Sequence, residues 1–203
     1  ITLQADGAIS LGGLRTTNAT AAAIAITSTS NGLVHVGNAH VDIDANALGS
    51  SVTISTALGV GDANPITSSI YELRVTNTTS GNVRLVESDA VRLHRMDQQG
   101  SGLIEVVASN GSVEILPGSG GVTSQGGSIT LDASAGVADI LVNDAIKSAG
   151  GLVNLFAGRH ILFNASGDIE SSGGDINLRA DEVAGNNGGK ITLADGTLVD
   201  AGN

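Results

Sequence analysis

Cationic side chains are concentrated in one span of an otherwise acidic chain. Of seven arginines, four fall between Arg74 and Arg95. If this span forms strands, alternation turns its leucines and valines inward and its cations outward. Guanidinium groups bind carboxylates and sulfates through paired hydrogen bonds, so an outward ladder of them is a candidate face for an anionic glycan. The residues predicted to form this face are Arg74, Arg84, Arg92 and His94.

Acidic side chains in the same span support a second interpretation. Glu72, Glu87 and Asp89 lie close to these arginines in sequence. Ion pairs between the two sets would neutralise the surface and leave no charge for a ligand. Both interpretations place the arginines on outward strand faces.

Paired carboxylates raise the question of sugar cleavage. Asp168 and Glu170 share one strand face, and Asp175 follows at the next turn. General acid–base catalysis on a glycoside needs two carboxyl groups about 5–9 Å apart across a cleft. Sugar cleavage also uses aromatic platforms, but aromatic residues make up only 1% of the chain, and we expect its two phenylalanines to be core residues or stacking partners. The chain is therefore predicted not to be an enzyme, with a β-helical polysaccharide lyase or hydrolase as an alternative.

The metal-ligating residue types show no useful spacing. The chain has no cysteine, which excludes a disulfide and a thiolate zinc site. Its four histidines lack the H-x-x-x-H and H-E-x-x-H spacings that place two ligands on one helix face. No metal and no cofactor are predicted.

Charge and hydropathy argue against two classes of partner. The net charge is −11, from 20 acidic and 9 basic residues. Nucleic-acid binding and docking to anionic lipid both need a basic surface. No segment approaches the run of about 20 apolar residues that a membrane helix requires. We therefore predict neither nucleic-acid binding nor membrane insertion.

A recurring phrase organises the chain: two glycines, a spacer and an alternating apolar strand. It reads GGSITL from Gly126, GGLVNL from Gly150, GGDINL from Gly173 and GGKITL from Gly188. Self-similarity at a period of roughly 20–50 residues marks a repeat architecture. The apolar residues occupy the same places after each glycine pair, so we expect them to stack in the interior.

The repeating units contain strand and turn patterns without a convincing helix. Short strands joined by Gly, Asn, Asp and Ser turns are typical of a parallel β-helix. The scarcity of aromatic residues suits its narrow, aliphatic interior. The predicted fold is all-β, a parallel β-helix of about nine coils, counted from strand starts at Ile1, Ile24, Val52, Glu72, Leu103, Ile129, Val153, Ile176 and Ile191.

Two segments carry the repeat most clearly, GGSITLDA at 126–133 and GGDINLRA at 173–180. Their residue pattern resembles that of filamentous-haemagglutinin-type exoproteins, large bacterial adhesins secreted by the two-partner route. The resemblance is good over 100–203 and looser over 1–99. It implies a right-handed parallel β-helix, secretion to the cell surface and adhesion. Because Asn64-Pro65-Ile66-Thr67 does not match the Asn-Pro-Asn-Gly-like motif of the family's secretion domain, the resemblance implies a piece of the shaft.

Residues 1–203 are therefore predicted to form one β-helical region, a segment of a longer chain. Its predicted function is a rod or stalk of a secreted bacterial surface adhesin or exoprotein, located outside the cell. The expected partners are a glycan or protein of a host or neighbouring cell, and flanking coils of the same chain or further copies stacked end to end. The alternative is a self-assembling extracellular filament or surface-layer subunit, since open β-helix ends expose unpaired strand edges.

Overall fold

The computed structural model describes residues 1–37, 39–182 and 188–202. Within these ranges the regular structure is entirely β-strand, and no helix is long and apolar enough to cross a membrane. The strands are numbered β1 to β23 in chain order. The first eleven are β1 (Thr2–Ala5), β2 (Ile9–Leu11), β3 (Leu14–Arg15), β4 (Ile24–Ser28), β5 (Leu33–His35), β6 (Ile43–Ala45), β7 (Ser51–Thr56), β8 (Ile66–Ile70), β9 (Glu72–Asn77), β10 (Val83–Glu87) and β11 (Val91–Gln98). The others are β12 (Ile104–Ala108), β13 (Val113–Ile115), β14 (Val122–Ser124), β15 (Ile129–Ala133), β16 (Ile140–Val142), β17 (Ile146–Ser148), β18 (Val153–Ala157), β19 (Ile161–Phe163), β20 (Ile169–Ser171), β21 (Ile176–Arg179), β22 (Ile191–Thr192) and β23 (Val199–Asp200).

Two long parallel sheets run along the molecule, and the chain passes from one to the other in every turn. Sheet A has the strand order β1-β4-β7-β9-β11-β13-β16-β19-β22, and a second row, β14-β17-β20-β23, continues from the far half of β11. Sheet B has the order β21-β18-β15-β12-β10-β8-β6-β3, and β2 pairs separately with β5. Neighbouring strands belong to successive turns and are parallel. The predicted parallel β-helix is confirmed.

The solenoid has about eight turns, because the main path of sheet A contains nine strands and therefore eight steps. The estimate of nine coils combined strand starts from both sheets. Glu72 begins a strand of sheet A, whereas Leu103 precedes a strand of sheet B, so the interval between them is more than one turn. Ile176 in sheet B and Ile191 in sheet A are less than one turn apart. The phrase at Gly188 thus leads into a different sheet from the other three.

Aliphatic residues form continuous interior columns, as the repeats predicted. The residues after the first three glycine pairs are in register and make two adjacent columns, Ile129–Val153–Ile176 and Leu131–Leu155–Leu178. The first two members of each column are fully buried, and the third is half-buried because β21 is the last strand of sheet B. A longer column in sheet A joins Ile24, Val52, Leu73, Leu93, Ile115, Val142 and Phe163. Burial of each such side chain contributes about 1.5–3 kcal/mol to folding.

A column of buried polar side chains runs beside the aliphatic ones. Ser148 Oγ accepts a hydrogen bond from the Gly151 N–H at 2.9 Å and donates one to the Gly127 carbonyl at 3.2 Å. Ser171 repeats this pair of bonds one turn later, with Gly174 and Gly151. These side chains satisfy backbone groups of the glycine corners, which would be costly to bury unpaired. The column, in register from turn to turn, is Ser28, Thr56, Asn77, Gln98, Ser124, Ser148 and Ser171.

The second glycine of each pair is required by the close approach of successive turns. A Cβ added to Gly127 would overlap the carbonyl oxygen of Gly102 in the turn before it. A Cβ added to Gly151 would overlap the backbone of Gly127 in the same way. These glycines therefore form a stack in which only hydrogen fits.

Replacing a column residue with a charge separates inward from outward positions. Leu155→Asp should lower the free energy of unfolding by roughly 4 kcal/mol or more, because it buries an unpaired carboxylate. Thr130→Asp, on the outer side of the neighbouring strand, should change it by less than about 1 kcal/mol. Urea denaturation followed by circular dichroism measures both. Equal losses for the two variants would contradict the assigned faces.

Replacing a glycine of the stack with alanine, which adds one methyl group, tests the close approach of successive turns. Gly127→Ala should cost roughly 3 kcal/mol, since the backbone of two turns must move apart. The matched control is Gly7→Ala, because a Cβ there meets nothing within 4 Å. Thermal melting of both variants is the measurement. A Gly127→Ala protein that melts with the wild type would show that the turns do not approach as closely as described.

Candidate functional site

The outer surface of β9 and β11 brings together most of the cations of the central span. Arg74 on β9 is in register with Thr53 of the preceding turn and Arg95 of the following turn. Arg92 lies on β11 beside Glu72 of the preceding turn. We call the outward side chains of Arg74, Arg92, His94 and Arg95 the arginine face.

A β-bulge in β11 shapes this face. The register between β9 and β11 shifts between Leu93 and Arg95, so that His94 is an extra residue. Leu93 and Met96 are buried, and the two residues between them both lie on the outer side. Bulges of this kind leave one residue unpaired and bend the strand. The buried Nδ1 of His94 has no hydrogen-bond partner within the described residues.

Arg92 is the centre of an ion-pair network. Its Nε donates to Glu114 at 3.0 Å, and its Nη1 donates to Glu72 at 3.0 Å and to the Tyr71 hydroxyl at 2.9 Å. The guanidinium also lies over the Tyr71 ring, 5.2 Å from its centre. Partial desolvation opposes the charge, but the hydrogen bond and the attraction to Glu114 raise the pKa of Arg92 overall. Arg92 is thus neutralised by two carboxylates.

Arg95 is paired on one side only. Its Nη2 donates to Asp97 at 2.8 Å, and 55% of its side chain is exposed. Asp97 also accepts hydrogen bonds from Gln99 and Thr123. Burial alone would raise the pKa of Asp97, yet the hydrogen bonds from Gln99, Thr123 and Arg95 lower it. The carboxylate therefore holds one edge of the Arg95 guanidinium in place.

The four residues predicted from sequence are divided between two sheets. Arg84 lies on β10 in sheet B, where its Nε donates to Glu105 at 2.7 Å. Arg74, Arg92 and His94 lie in sheet A, so the four do not form one ladder. Arg95 joins the face in place of Arg84. The sequence feature that could have identified Arg95 is the pair His94-Arg95, two polar residues in succession within an otherwise alternating strand.

Arg74 differs from the other arginines in its charge environment. The remaining six each have a carboxylate oxygen within 4.0 Å. Across the part of the chain that the structure describes, no carboxylate lies that close to Arg74. The neutralised-surface interpretation therefore describes Arg84, Arg92 and Arg95, but not Arg74. Anionic-glycan binding by this face stays a prediction.

Glu87, expected among the surface charges, faces the interior instead. It is 1% exposed and stands in a column between Ser68 and Ala108. Its carboxyl accepts hydrogen bonds from Ser68 Oγ at 2.8 Å and from the Ile70 N–H at 3.0 Å. Burial, opposed by these bonds, raises the pKa of Glu87 to about 7.

The acidic pair considered for sugar cleavage is engaged in structural contacts. Asp168 Oδ1 accepts a hydrogen bond from the Leu198 N–H at 2.8 Å. Glu170 forms an ion pair with Lys147 at 3.0 Å, and Asp175 is exposed. Asp168 and Glu170 thus each make a local structural contact.

Both expectations for the phenylalanines are met, one by each residue. Phe163 is a core residue with 4% exposure. Phe156 lies on the outer side of β18, where the Arg179 guanidinium covers its ring at 5.5 Å. Tyr71 is covered by Arg92 in the same manner. The rings of Phe156 and Tyr71 are therefore stacking partners of arginines.

His35 and His160 take part in local hydrogen bonds. His35 Nδ1 lies 2.8 Å from Oδ2 of Asp42, a fully buried carboxylate that also accepts hydrogen bonds from the backbone and hydroxyl of Thr67. The His160 Nδ1 accepts a hydrogen bond from the Lys190 N–H. Among the described residues, no three His, Asp, Glu or Cys side chains are grouped in a way that could hold a metal ion.

Comparison of the chain with protein-family models, curated proteins and solved structures gives no match. The likeness to filamentous-haemagglutinin-type exoproteins therefore rests on the repeat residues alone and stays a prediction. The geometry of the arginine face is the strongest local indication of function.

Burial of Glu87 makes stability depend on pH. The ordinary pKa is 4.5 and the folded-state pKa is about 7, so between these values the unfolded chain releases a proton that the folded chain keeps. Stability from this group is therefore complete below pH 4.5 and falls as the pH rises through 7, by up to about 3 kcal/mol. Glu87→Gln should exceed the wild type in stability at pH 8 and match it at pH 4.

Urea denaturation across this pH range measures the effect. The control is Glu105→Gln, since Glu105 is on the outer face and paired with Arg84. It should not gain stability as the pH rises. A Glu87→Gln protein with the same pH dependence as the wild type would show that Glu87 is not the responsible group.

Proposed function

We propose that this chain is a rigid rod segment of a secreted bacterial surface adhesin or exoprotein. The observation that carries the proposal is the continuity of the interior columns and backbone ladders through about eight turns. Each turn adds one strand spacing of about 4.8 Å, so eight steps extend about 40 Å along the axis. Every turn is held by the turns on either side, as in other solenoids. Such an element maintains a fixed distance between whatever lies at its two ends.

Sequence features support the extracellular part of the proposal. The glycine-pair cadence at 126–133 and 173–180 resembles that of two-partner-secreted exoproteins. The chain carries a net charge of −11, which favours solubility of an extended surface.

A self-assembling filament or surface-layer subunit is the second candidate. Its support is the apolar surface beside the outermost strands, where Ile1, Leu193 and Leu198, each adjacent to a strand, are 46–50% exposed. Flanking coils of the same chain would cover this surface equally well. The effect of protein concentration distinguishes a filament subunit from a segment covered by flanking coils. A filament subunit forms longer species as it is concentrated, and light scattering after size-exclusion chromatography measures their mass.

Deletion of one complete turn tests the rod. Val153 is in register with Ile129, so removal of residues 129–152 brings β18 onto β12 without a change of phase. The shortened protein should fold cooperatively, and its maximum dimension in small-angle scattering should fall by about 5 Å. Removal of residues 129–144, which leaves β17 directly after β14, should prevent cooperative folding. Equal tolerance of the two deletions would contradict a register-locked rod.

Antibody labelling tests the location. Antibodies raised against this chain should label intact, unpermeabilised cells of the source organism. Labelling only after permeabilisation would overturn the surface assignment, while the scattering result would still report on the rod. The absence of reducing-end release from polysaccharides by the purified protein is expected from the same proposal.

A further inference from the structure

We infer that Arg74 and Arg95 form a subsite for one anionic group, a carboxylate or sulfate, carried by an otherwise neutral glycan. The inference rests on the proposed adhesin function and names the ligand class that such a rod would bind. Three features of the arginine face carry it: an unneutralised cation, a second cation placed beside it by the bulge, and surroundings of opposite character on two sides.

Arg74 supplies the charge. It lies on the outer side of β9 between two buried neighbours, Leu73 and Val75. Within the described residues it is the arginine without a carboxylate in ion-pair range. An arginine has five N–H donors, and a carboxylate or sulfate satisfies them in a bidentate manner. The charge of Arg74 is therefore not neutralised by any carboxylate that the described structure places within 4.0 Å.

Arg95 supplies a second set of donors at the right distance. The bulge places it in register with Arg74, and adjacent parallel strands are about 4.8 Å apart. Its contact with Asp97 uses Nη2, which leaves the other nitrogens of an exposed side chain. Two guanidinium groups at this spacing can share one anion between them.

The side of the face toward the amino terminus suits a neutral sugar. Thr53 is exposed and in register with Arg74, and Ser55 and Thr76 are outward neighbours in the adjacent row. Thr27 extends that row by one turn. Hydroxyl side chains both donate and accept, as sugar hydroxyls do. A sugar whose anionic group lies at Arg74 would therefore extend across these hydroxyls.

The opposite side of the face disfavours a highly charged ligand. Asp97, paired with Arg95, and Glu114, paired with Arg92, lie in the following turns, and Glu72 lies two residues before Arg74 on β9. A chain of many sulfates would bring several of its charges against these carboxylates and against the acidic protein as a whole. The site therefore selects an isolated anionic group over a polyanion, and the same argument disfavours nucleic acid.

Binding to four immobilised probes tests the inference: lactose, 3′-sialyllactose, 3′-sulfolactose and heparin. The wild-type protein should bind at least one of the singly charged trisaccharide or disaccharide probes about tenfold more tightly than lactose. The two anionic arms separate a carboxylate from a sulfate. Heparin should bind no more tightly than the singly charged probes, and added salt should weaken binding.

Variants assign the binding to residues. Arg74→Gln should weaken binding of the charged probe by about tenfold and leave lactose unchanged, and Arg95→Gln should weaken it by a smaller factor because Asp97 already holds one edge. Arg84→Gln is the matched control on the other sheet and should have no effect. All three variants should melt within about 3 °C of the wild type.

Full binding by Arg74→Gln, preference for heparin, or failure of the wild type to distinguish the singly charged probes from lactose would each overturn the subsite. None of these outcomes alters the turn-deletion or surface-labelling results. Failure of the subsite is therefore distinguishable from failure of the rod.

Discussion

The close stacking of successive turns at the glycine corners is the constraint on which the rest of the structure depends. At Gly127 and Gly151 the backbone of one turn lies where a side chain of the next would be, so only glycine fits. A corner this tight buries peptide groups, and Ser148 and Ser171 supply the hydrogen bonds those groups need. The two requirements together fix the register of every following strand, since a slip of one residue would exchange inward and outward side chains.

Because the register is fixed, interior positions tolerate fewer residue types than surface positions do. Most inward positions must remain apolar, and inward polar side chains such as Ser148 and Glu87 need hydrogen-bond partners in the interior. Outward positions contact other outward side chains, many of them neighbours in the same row, as in the run Glu72–Arg92–Glu114. The bulge at His94 affects both the interior and the surface. It lies where sheet A divides into two rows of strands in the following turns, and it places Arg95 beside Arg74.

Alternation and the glycine pairs were sufficient to predict the fold class and the columns through Ile129 and Leu131. They could not assign a strand to a sheet, because both sheets present the same alternation. Alternation alone therefore groups Arg84 with Arg92 and gives nine coils instead of about eight. A strict period of two also hides the bulge, and with it Arg95. A carboxylate such as that of Glu87 is expected outside, whereas hydrogen bonds from Ser68 and a backbone N–H accommodate it inside. Part of the column of buried polar side chains is marked in the sequence by the pattern S-x-G-G, at Ser124, Ser148 and Ser171.

The contrast between Arg92 and Arg74 bears on how a solenoid acquires a ligand. Arg92 is tied to three partners, so changing it removes several hydrogen bonds at once. Arg74 has no ion pair among the described residues. Positions of the second kind can vary without cost to the register or the columns. In a fold whose interior is so strictly specified, binding specificity is therefore free to reside in single outward residues.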